Sequence, residues 1–165
     1  MAQELPDDLF RWIVEAMPEA VVYSDREGII RLWNRGAETI FGYREQDVLG
    51  QTLDVIIPER WRARHWAGYR AVMQTGVTRY GSQVLAVPAS RRDGTLISIE
   101  FSIILPTDPD GQVLGAVAIV RDVTTRWKEE RALRKRLAAL EAAERRTGAD
   151  PRSGGAAPGG SGRAT

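Results

Sequence analysis

The chain contains one histidine and no cysteine, and these two counts limit the chemistry that it can perform. His65 is the one side chain whose ordinary pKa lies near neutrality, so it is the candidate for a proton-accepting base or a metal-binding imidazole. No serine lies in a context typical of an activated nucleophile, and no glycine-rich loop follows a phosphate-binding pattern. The lack of cysteine excludes disulfides, thiolate metal sites and cysteine nucleophiles. The sequence therefore predicts no catalytic residues, and we expect the chain not to be an enzyme.

The composition predicts one globular domain with extensions, and it is ordinary for a soluble protein. Of 165 residues, 43% are hydrophobic and 27% are charged, which is typical of globular proteins. The formal net charge of +1 creates no overall field that would attract nucleic acid or anionic lipid. No apolar run approaches the about 18 residues that a membrane-spanning helix needs, and the acidic start of the chain is unlike a signal peptide. We expect a cytoplasmic location and no direct contact with nucleic acid or membrane.

Helical periodicity and turn residues predict the elements that would position His65. A short amphipathic helix over 7–16 comes first, and β-branched residues then predict a hairpin of two strands, 20–25 and 29–33. Asn34 can cap the next helix through its side-chain oxygen, and Gly42 ends that helix. His65 lies on a longer helix that is predicted over 59–74. The remaining predicted strands span 83–87, 96–105 and 113–120. Two strands, a group of helices and three strands make an α+β order.

A second amphipathic helix is predicted near the end of the chain, over 125–146. Leu133, Leu137 and Leu140 are spaced by four and three residues, as in the seam of a coiled coil. A single helix docked on its own domain is the alternative, because short isolated coiled coils are marginally stable. The residues beyond are rich in Gly, Ala, Pro and Ser, which predicts disorder. The predicted divisions are 1–17 for the first helix, 18–124 for the domain, 125–146 for the second helix and 147–165 for the tail.

Three separated motifs resemble a PAS domain of the sensory-box type. They are the segment from Gly28 to Tyr43, which reads GIIRLWNRGAETIFGY, the RRDGT segment from Arg91 to Thr95, and the segment GAVAIVRDVT from Gly115 to Thr124. The resemblance covers about Asp7 to Thr125. It implies a five-stranded antiparallel sheet with helices over one face, flanked by signalling helices at both ends. It also implies a sensor that forms a homodimer and acts on a separate signalling protein, such as a histidine kinase or a transcription regulator.

The resemblance also suggests where a signal would leave the domain. Asp122 and Thr124 correspond to a junction between the last strand and an output helix. The implied dimer contacts lie on the two flanking helices, at Leu9, Trp12, Ile13, Leu133, Leu137 and Leu140. A ligand-free PAS adaptor that acts only through protein contacts is a second interpretation.

One segment is similar to heme-binding PAS domains of the FixL type. Arg64 and His65 precede Tyr69 on the long helix, and in those sensors the corresponding histidine binds the heme iron. The resemblance implies an apolar pocket lined by Tyr69, Val72, Leu85, Phe101 and Ile103, with Leu85 in place of an arginine that bonds oxygen. Without cysteine, adduct-forming flavin and cysteine-linked chromophores are excluded. The cofactor prediction therefore stays open between heme, with His65 as the axial ligand, a flavin bound without a covalent link, and no cofactor, with His65 in packing or at the surface.

Overall fold

The structure is a computed structural model of the chain, and it describes residues 6, 8–78 and 85–147. The helices are α1 (Leu9–Ala16), α2 (Arg35–Phe41), α3 (Glu45–Val48), α4 (Glu59–Thr75) and α5 (Thr124–Thr147), with one 3-10 turn at Leu53–Val55. The strands are β1 (Ala20–Asp25), β2 (Ile30–Trp33), β3 (Leu85–Ser90), β4 (Leu96–Ile104) and β5 (Gly115–Asp122).

All five strands form one antiparallel sheet in the order β2-β1-β5-β4-β3. This confirms the α+β class and the five-stranded sheet that the resemblance implies. The first and last strands of the chain lie side by side at the centre, where Val22 pairs with Ala118 and Ala20 pairs with Val120. The segment that follows β5 therefore continues from a central strand and not from an edge.

One face of the sheet and the helix α2 together form the hydrophobic core. Trp33 and Phe41 are the largest fully buried side chains, and their ring centroids lie 5.3 Å apart. Ala37 and Ile40 are buried beside them on α2, as the helical periodicity predicts. Apolar burial of this kind is the main favourable contribution to folding.

Asn34 holds three parts of the chain together through its buried side chain. Its Oδ1 accepts hydrogen bonds from Ala37 N at 2.9 Å, which caps α2 as predicted, and from Val21 N at 2.8 Å. Its Nδ2 donates to the carbonyl oxygens of Val14 at 2.8 Å and Glu19 at 3.0 Å. Val14 lies in α1, Val21 in β1 and Ala37 in α2, so the side-chain amide of Asn34 joins these three elements.

A close backbone contact holds the same region. A Cβ atom at Gly36 would lie 2.1 Å from the carbonyl oxygen of Glu19. Any larger residue would force the start of α2 away from the segment before β1. Packing therefore requires glycine at position 36 of the WNRG segment. Backbone flexibility is not the reason, because Gly36 lies inside a helix.

Several predicted boundaries differ from the observed ones by one or two residues, and three differences have a clear physical reason. The helix α3 and the 3-10 turn were absent from the prediction, because elements of four and three residues show no periodicity. The strand predicted over 113–120 spans Gly115–Asp122, since the residues before it form an isolated bridge between Thr107 and Val113. Strand β3 continues through Pro88, which an edge strand tolerates, while predicted strand residues 83 and 84 lie outside the described part.

The chain divides into two compact units at residues 124 and 125. The first unit contains the sheet and α1 to α4. The second is α5, whose residues 125–146 are all exposed. The tail predicted to be disordered lies outside the described residues apart from the backbone of Thr147.

Candidate functional site

Hydrogen bonds, together with the packing of Trp66 and Tyr69 against the core, hold the helix that carries His65 in place. Near its start, Arg62 donates to the carbonyl oxygens of Asp54 at 3.0 Å and Ile57 at 3.1 Å. One turn later, the indole Nε1 of Trp66 donates to Asp54 Oδ1 at 2.8 Å. These bonds anchor the first half of α4 to the 3-10 turn and the residues after it.

The second half of α4 is anchored to the β1–β2 hairpin. The hydroxyl oxygens of Tyr69 and Ser24 lie 2.9 Å apart, and the Tyr69 hydroxyl also donates to the carbonyl oxygen of Asp25. From the hairpin turn, Arg26 donates to the carbonyl oxygen of Met73 at 3.2 Å. Burial raises the pKa of Tyr69 to about 12, although the Ser24 hydrogen bond acts in the opposite direction. The phenol is therefore neutral at physiological pH and serves as a hydrogen-bonding group.

His65 lies beside two aromatic rings and has one unsatisfied nitrogen. Its ring centroid is 5.1 Å from that of Trp66 and 5.8 Å from that of Tyr69. The Nδ1 atom is buried and has no hydrogen-bond partner among the described residues. Burial lowers the pKa of His65 below its ordinary value, while the charge of Asp54 acts to raise it. A neutral imidazole with a buried free nitrogen has the donor chemistry of a metal ligand.

The residues predicted to line a pocket form two groups in the structure. His65 and Tyr69 are neighbours on α4, and Tyr69 packs against the hydrophobic core. Phe101 and Ile103 lie on β4, where Phe101 also packs against the core and Ile103 is half-buried. Val72, also half-buried, lies one turn beyond Tyr69 on α4. The backbone of Leu85 pairs with Phe101, and the side chain of Leu85 lies outside the described part.

Among the hollows on the described surface are two whose lining does not include His65, Tyr69 or Phe101. One of about 580 Å³ lies at the β3–β4 turn and the end of α2, and the other, of about 210 Å³, lies between α1 and the start of α2. The imidazole of His65 has the chemistry of an iron ligand. Neither of these two hollows provides the space for a porphyrin beside it.

Asp122 and Thr124 form a hydrogen-bonded junction at the end of β5. Asp122 Oδ1 accepts bonds from the backbone N of Thr124 at 2.9 Å and from its hydroxyl at 2.6 Å. The Thr124 hydroxyl oxygen also accepts from Ser98 N at 3.0 Å on β4. The first residue of α5 is thereby fixed to two neighbouring strands of the sheet.

Arg91 connects this junction to helix α2. Its guanidinium forms an ion pair with Asp122 and donates to the carbonyl oxygen of Ile40 at 2.9 Å. Burial acts to raise the pKa of Asp122, but the bonds from Thr124 and the charge of Arg91 outweigh it and hold the pKa below its usual value. Sequence analysis identified Asp122 and Thr124 but not Arg91, although Arg91 begins the RRDGT motif.

The residues predicted at a dimer interface are mostly exposed. On α1, Trp12 is 67% exposed and Ile13 is 42% exposed, while Leu9 is half-buried. On α5, the three leucines are each more than half exposed, at 66% for Leu133, 58% for Leu137 and 57% for Leu140. Both helices therefore present apolar side chains that are available to another surface.

Within the part of the chain that is described, no helix has the length and apolar character needed to cross a membrane.

The sheet topology, the helices packed on it and the bonded strand–helix junction define an α+β module built on one antiparallel sheet. A family model described as the PAS fold matches residues 14–128, and the chain belongs to this family. It is similar to the sensor protein FixL of Bradyrhizobium diazoefficiens, with 33% identity over 96 residues, 56% of this chain and 18% of that protein. It is also similar to the oxygen sensor protein DosP of Escherichia coli, with 23% identity over 144 residues, 87% of this chain and 18% of that protein.

The fold is also found among solved structures. The PAS domain of a protein from Colwellia psychrerythraea matches with a TM-score of 0.62 and 22% identity, over 70% of this chain and 95% of that chain. The chain thus spans about a fifth of the length of the two curated relatives and nearly all of an isolated PAS domain.

Proposed function

We propose that this PAS domain transmits a signal from its core to α5, and that it does so as a homodimer in contact with a separate signalling protein. The observation that carries this proposal is the junction at Asp122. A change in α2 or in the β3–β4 turn would reach Arg91, because Arg91 bonds Ile40 and Asp122 at once. Asp122 in turn bonds the first residue of α5. The partner would be a histidine kinase or a transcription regulator in the cytoplasm.

The exposed leucines of α5 supply the dimer contact in this proposal. Leu133, Leu137 and Leu140 follow the spacing of a coiled-coil seam, and helix pairing would bury them. The exposed side chains of α1, Trp12 and Ile13, would extend the interface. The role in this proposal is regulatory, with no catalytic residues in the chain itself.

Light scattering of the purified chain tests the dimer. Replacing Leu133→Glu and Leu137→Glu places two like charges in each helix seam, so we expect the mass to fall from that of a dimer to that of a monomer. Ala138→Glu with Ala139→Glu is the control, since it adds the same two charges to the same helix at exposed positions that face away from the seam. A double leucine variant that keeps the mass of the native chain would refute the coiled-coil role.

A second candidate function is heme-based sensing of a gas or of redox state. It is supported by the buried, unpaired Nδ1 of His65, and the similarity to FixL and to an oxygen sensor protein is consistent with it. His65 would hold the iron, and bound heme would supply a site for diatomic gases. Tyr69 and Phe101 would contribute apolar surface beside it.

The visible spectrum tests this function directly. The protein is measured as isolated and after addition of hemin, beside His65→Ala. A Soret band of bound heme that is lost in the variant would support iron ligation by His65. A featureless visible spectrum for both proteins would set heme aside and favour the ligand-free adaptor, in which the domain acts through protein contacts alone.

A further inference from the structure

The leucines of α5 fix a heptad register, abcdefg, for the whole helix. Leu133 and Leu140 take position d and Leu137 takes position a, because these positions alternate at spacings of four and three residues. Positions e and g flank the seam, and in α5 the ones nearest the leucines carry charged, exposed side chains. These are Glu129 and Arg136 at g, and Arg134 and Glu141 at e. The four charges would line the edges of any interface that buries the leucines.

Two parallel copies of α5 would bring these charges together with opposite signs. In a parallel coiled coil, each g residue lies beside the e residue of the following heptad in the partner. Glu129 would therefore lie beside the partner's Arg134, and Arg136 beside the partner's Glu141. A two-fold symmetric dimer contains each of these contacts twice. Every contact between these four positions would then join an acidic residue to a basic one.

The seam residues also match in this orientation. When two parallel helices are in register, each seam residue meets its own copy, so every leucine packs against a leucine. Glu130, which precedes the leucines in the seam, meets the partner's Glu130. Its charge is offset within its own helix, since Arg126 and Arg134 each have a nitrogen 3.7 Å from its carboxylate. The parallel pair therefore buries no leucine against a charged group.

Antiparallel pairing gives a poorer match in both of the registers that place leucine opposite leucine. In one register, Leu140 faces the partner's Glu130, and Arg134 lies beside the partner's Arg134. In the other register, Leu133 faces the partner's Glu144. Each register forms fewer leucine layers than the parallel pair, and each removes water from a carboxylate against an apolar side chain, which is unfavourable. The flanking charges and the seam thus favour the same orientation.

We propose that α5 pairs with α5 of a second copy as a parallel, in-register coiled coil, and that the charges at its e and g positions select this orientation. The inference rests on the homodimer proposed above and adds the direction and register of its helices. Both Thr124 residues would lie at the same end of the helix pair, so the two Asp122 junctions would act on that end together. The seam residues nearest the junctions are polar, so the pair would be held most firmly further along, at the leucines.

Disulfide cross-linking tests the register, and the lack of native cysteine makes it specific. Glu144→Cys places one thiol at a seam position of the full chain, and covalent dimer is measured on non-reducing gels during mild oxidation. In the parallel pair the two thiols face each other, so we expect rapid cross-linking. In either antiparallel register they would be at least about 16 Å apart along the helix axis, beyond the about 7 Å between Cα atoms that a disulfide spans. Ala142→Cys, at the exposed outer position f, is the matched control and should cross-link at least about tenfold more slowly.

Arg136 allows the electrostatic part to be tested without disturbing ion pairs within one helix. No acidic residue lies three or four positions from it in the sequence, whereas in the parallel dimer it lies beside the partner's Glu141. Arg136→Glu should therefore raise the dissociation constant of the dimer by about fivefold in sedimentation equilibrium at low salt. Adding Glu141→Arg restores opposite charges and should return the constant to within about twofold of the native value. Lys135→Glu makes the same charge change at the neighbouring outward position, and this control should have less than about a twofold effect.

These measurements separate the orientation of the helices from the existence of the dimer. A native chain with the mass of a dimer whose Glu144→Cys variant cross-links no faster than Ala142→Cys would overturn the parallel register and leave the dimer in place. The same holds if Arg136→Glu weakens the dimer no more than Lys135→Glu does. A native chain that light scattering shows as a monomer at every concentration would overturn the dimer and the orientation together.

Discussion

The two units of the chain differ in how their apolar side chains are used. In the unit that ends at Thr124, the large side chains Trp33 and Phe41 are completely buried. In α5, the leucines at 133, 137 and 140 are all more than half exposed, and its ion pairs join residues four apart on the same helix. Such pairs contribute only a few tenths of a kcal/mol each. The difference shows that the sheet domain is specified by its own contacts, whereas the seam of α5 is suited to pairing with a further surface.

Truncation of one apolar side chain in each unit should give the largest contrast. We expect Phe41→Ala to lower the free energy of unfolding by about 4 kcal/mol, since it removes a fully buried ring and leaves a cavity. Leu137→Ala, at protein concentrations low enough for a monomer, should change it by less than about 0.5 kcal/mol. Urea unfolding followed by tryptophan fluorescence measures both. A large loss for Leu137→Ala in the monomer would break the comparison.

Asn34 tests whether polar contacts also specify the sheet domain. Asn34→Ala leaves the amides of Val21 and Ala37 and the carbonyls of Val14 and Glu19 without their partner. We expect a loss of about 3 kcal/mol in urea unfolding, because buried groups without partners cost more than the bonds themselves contribute. Thr39→Ala, which removes an exposed side-chain bond on the same helix, is the control and should cost less than about 0.5 kcal/mol. Equal losses for the two variants would contradict the role of Asn34.

The junction at Asp122 lies where the two units meet in sequence, and a smaller effect is expected there. Asp122→Asn should lower stability at neutral pH by about 1 kcal/mol, because it weakens a partly exposed ion pair with Arg91. The folded pKa of Asp122 is below its unfolded value. The contribution of the carboxylate is therefore complete above about pH 4 and is lost as pH falls through the folded pKa.

Thermal unfolding from neutral to acidic pH measures this effect. The difference between the native chain and Asp122→Asn should shrink as the pH falls below about 4. Arg91→Ala is the companion variant, and the double variant should cost less than the sum of the two single losses. A constant difference across the whole pH range would show that the charge of Asp122 does not stabilise the junction.

Among these predictions, protonation of His65 should have the smallest effect on the stability of the sheet domain. Its folded pKa is lowered by burial, so the unfolded chain takes up a proton first as the pH falls. Stability should therefore be complete above about pH 6.5 and should decrease as the pH falls from there through the folded pKa. The chain has no other histidine, so thermal unfolding of His65→Gln should be nearly flat over that range. A variant with the slope of the native chain would show that His65 is not the titrating group.

Sequence patterns were sufficient to predict the helices and strands that depend on residues close together in the chain. The β-branched composition, the turn residues and the helical periodicity predicted β1, α2 and α4 to within one or two residues, and Asn34 was identified as a cap from its position before α2. The helix α3 was too short for a periodic signal, and Pro88 concealed the second half of β3 because its position at the sheet edge is not visible in sequence.

The candidate site was predictable only in part. His65 and Tyr69 are neighbours because they lie four residues apart on one helix, which the sequence shows directly. That Tyr69 bonds Ser24 and Asp25 across 45 and 44 residues could not be deduced, since it depends on where α4 crosses β1. The proposed pocket with Phe101 stays a prediction, because the structure shows that Tyr69 and Phe101 each pack against the core but does not test a ligand between them.

By itself, the sequence indicated the PAS fold through the resemblance of three separated motifs. It also determined the order of the longer elements, the cap at Asn34 and the spacing of the α5 leucines, because these depend on residues close together in the chain. Only the tertiary structure decided the partners of Asn34 in α1, the link from Ile40 through Arg91 to Asp122, and the unsatisfied nitrogen of His65. Arg91 is 51 residues from Ile40 and 31 from Asp122. Contacts at such separations arise when the sheet brings distant backbone groups within hydrogen-bonding distance, and no local pattern of residue types records which groups will meet.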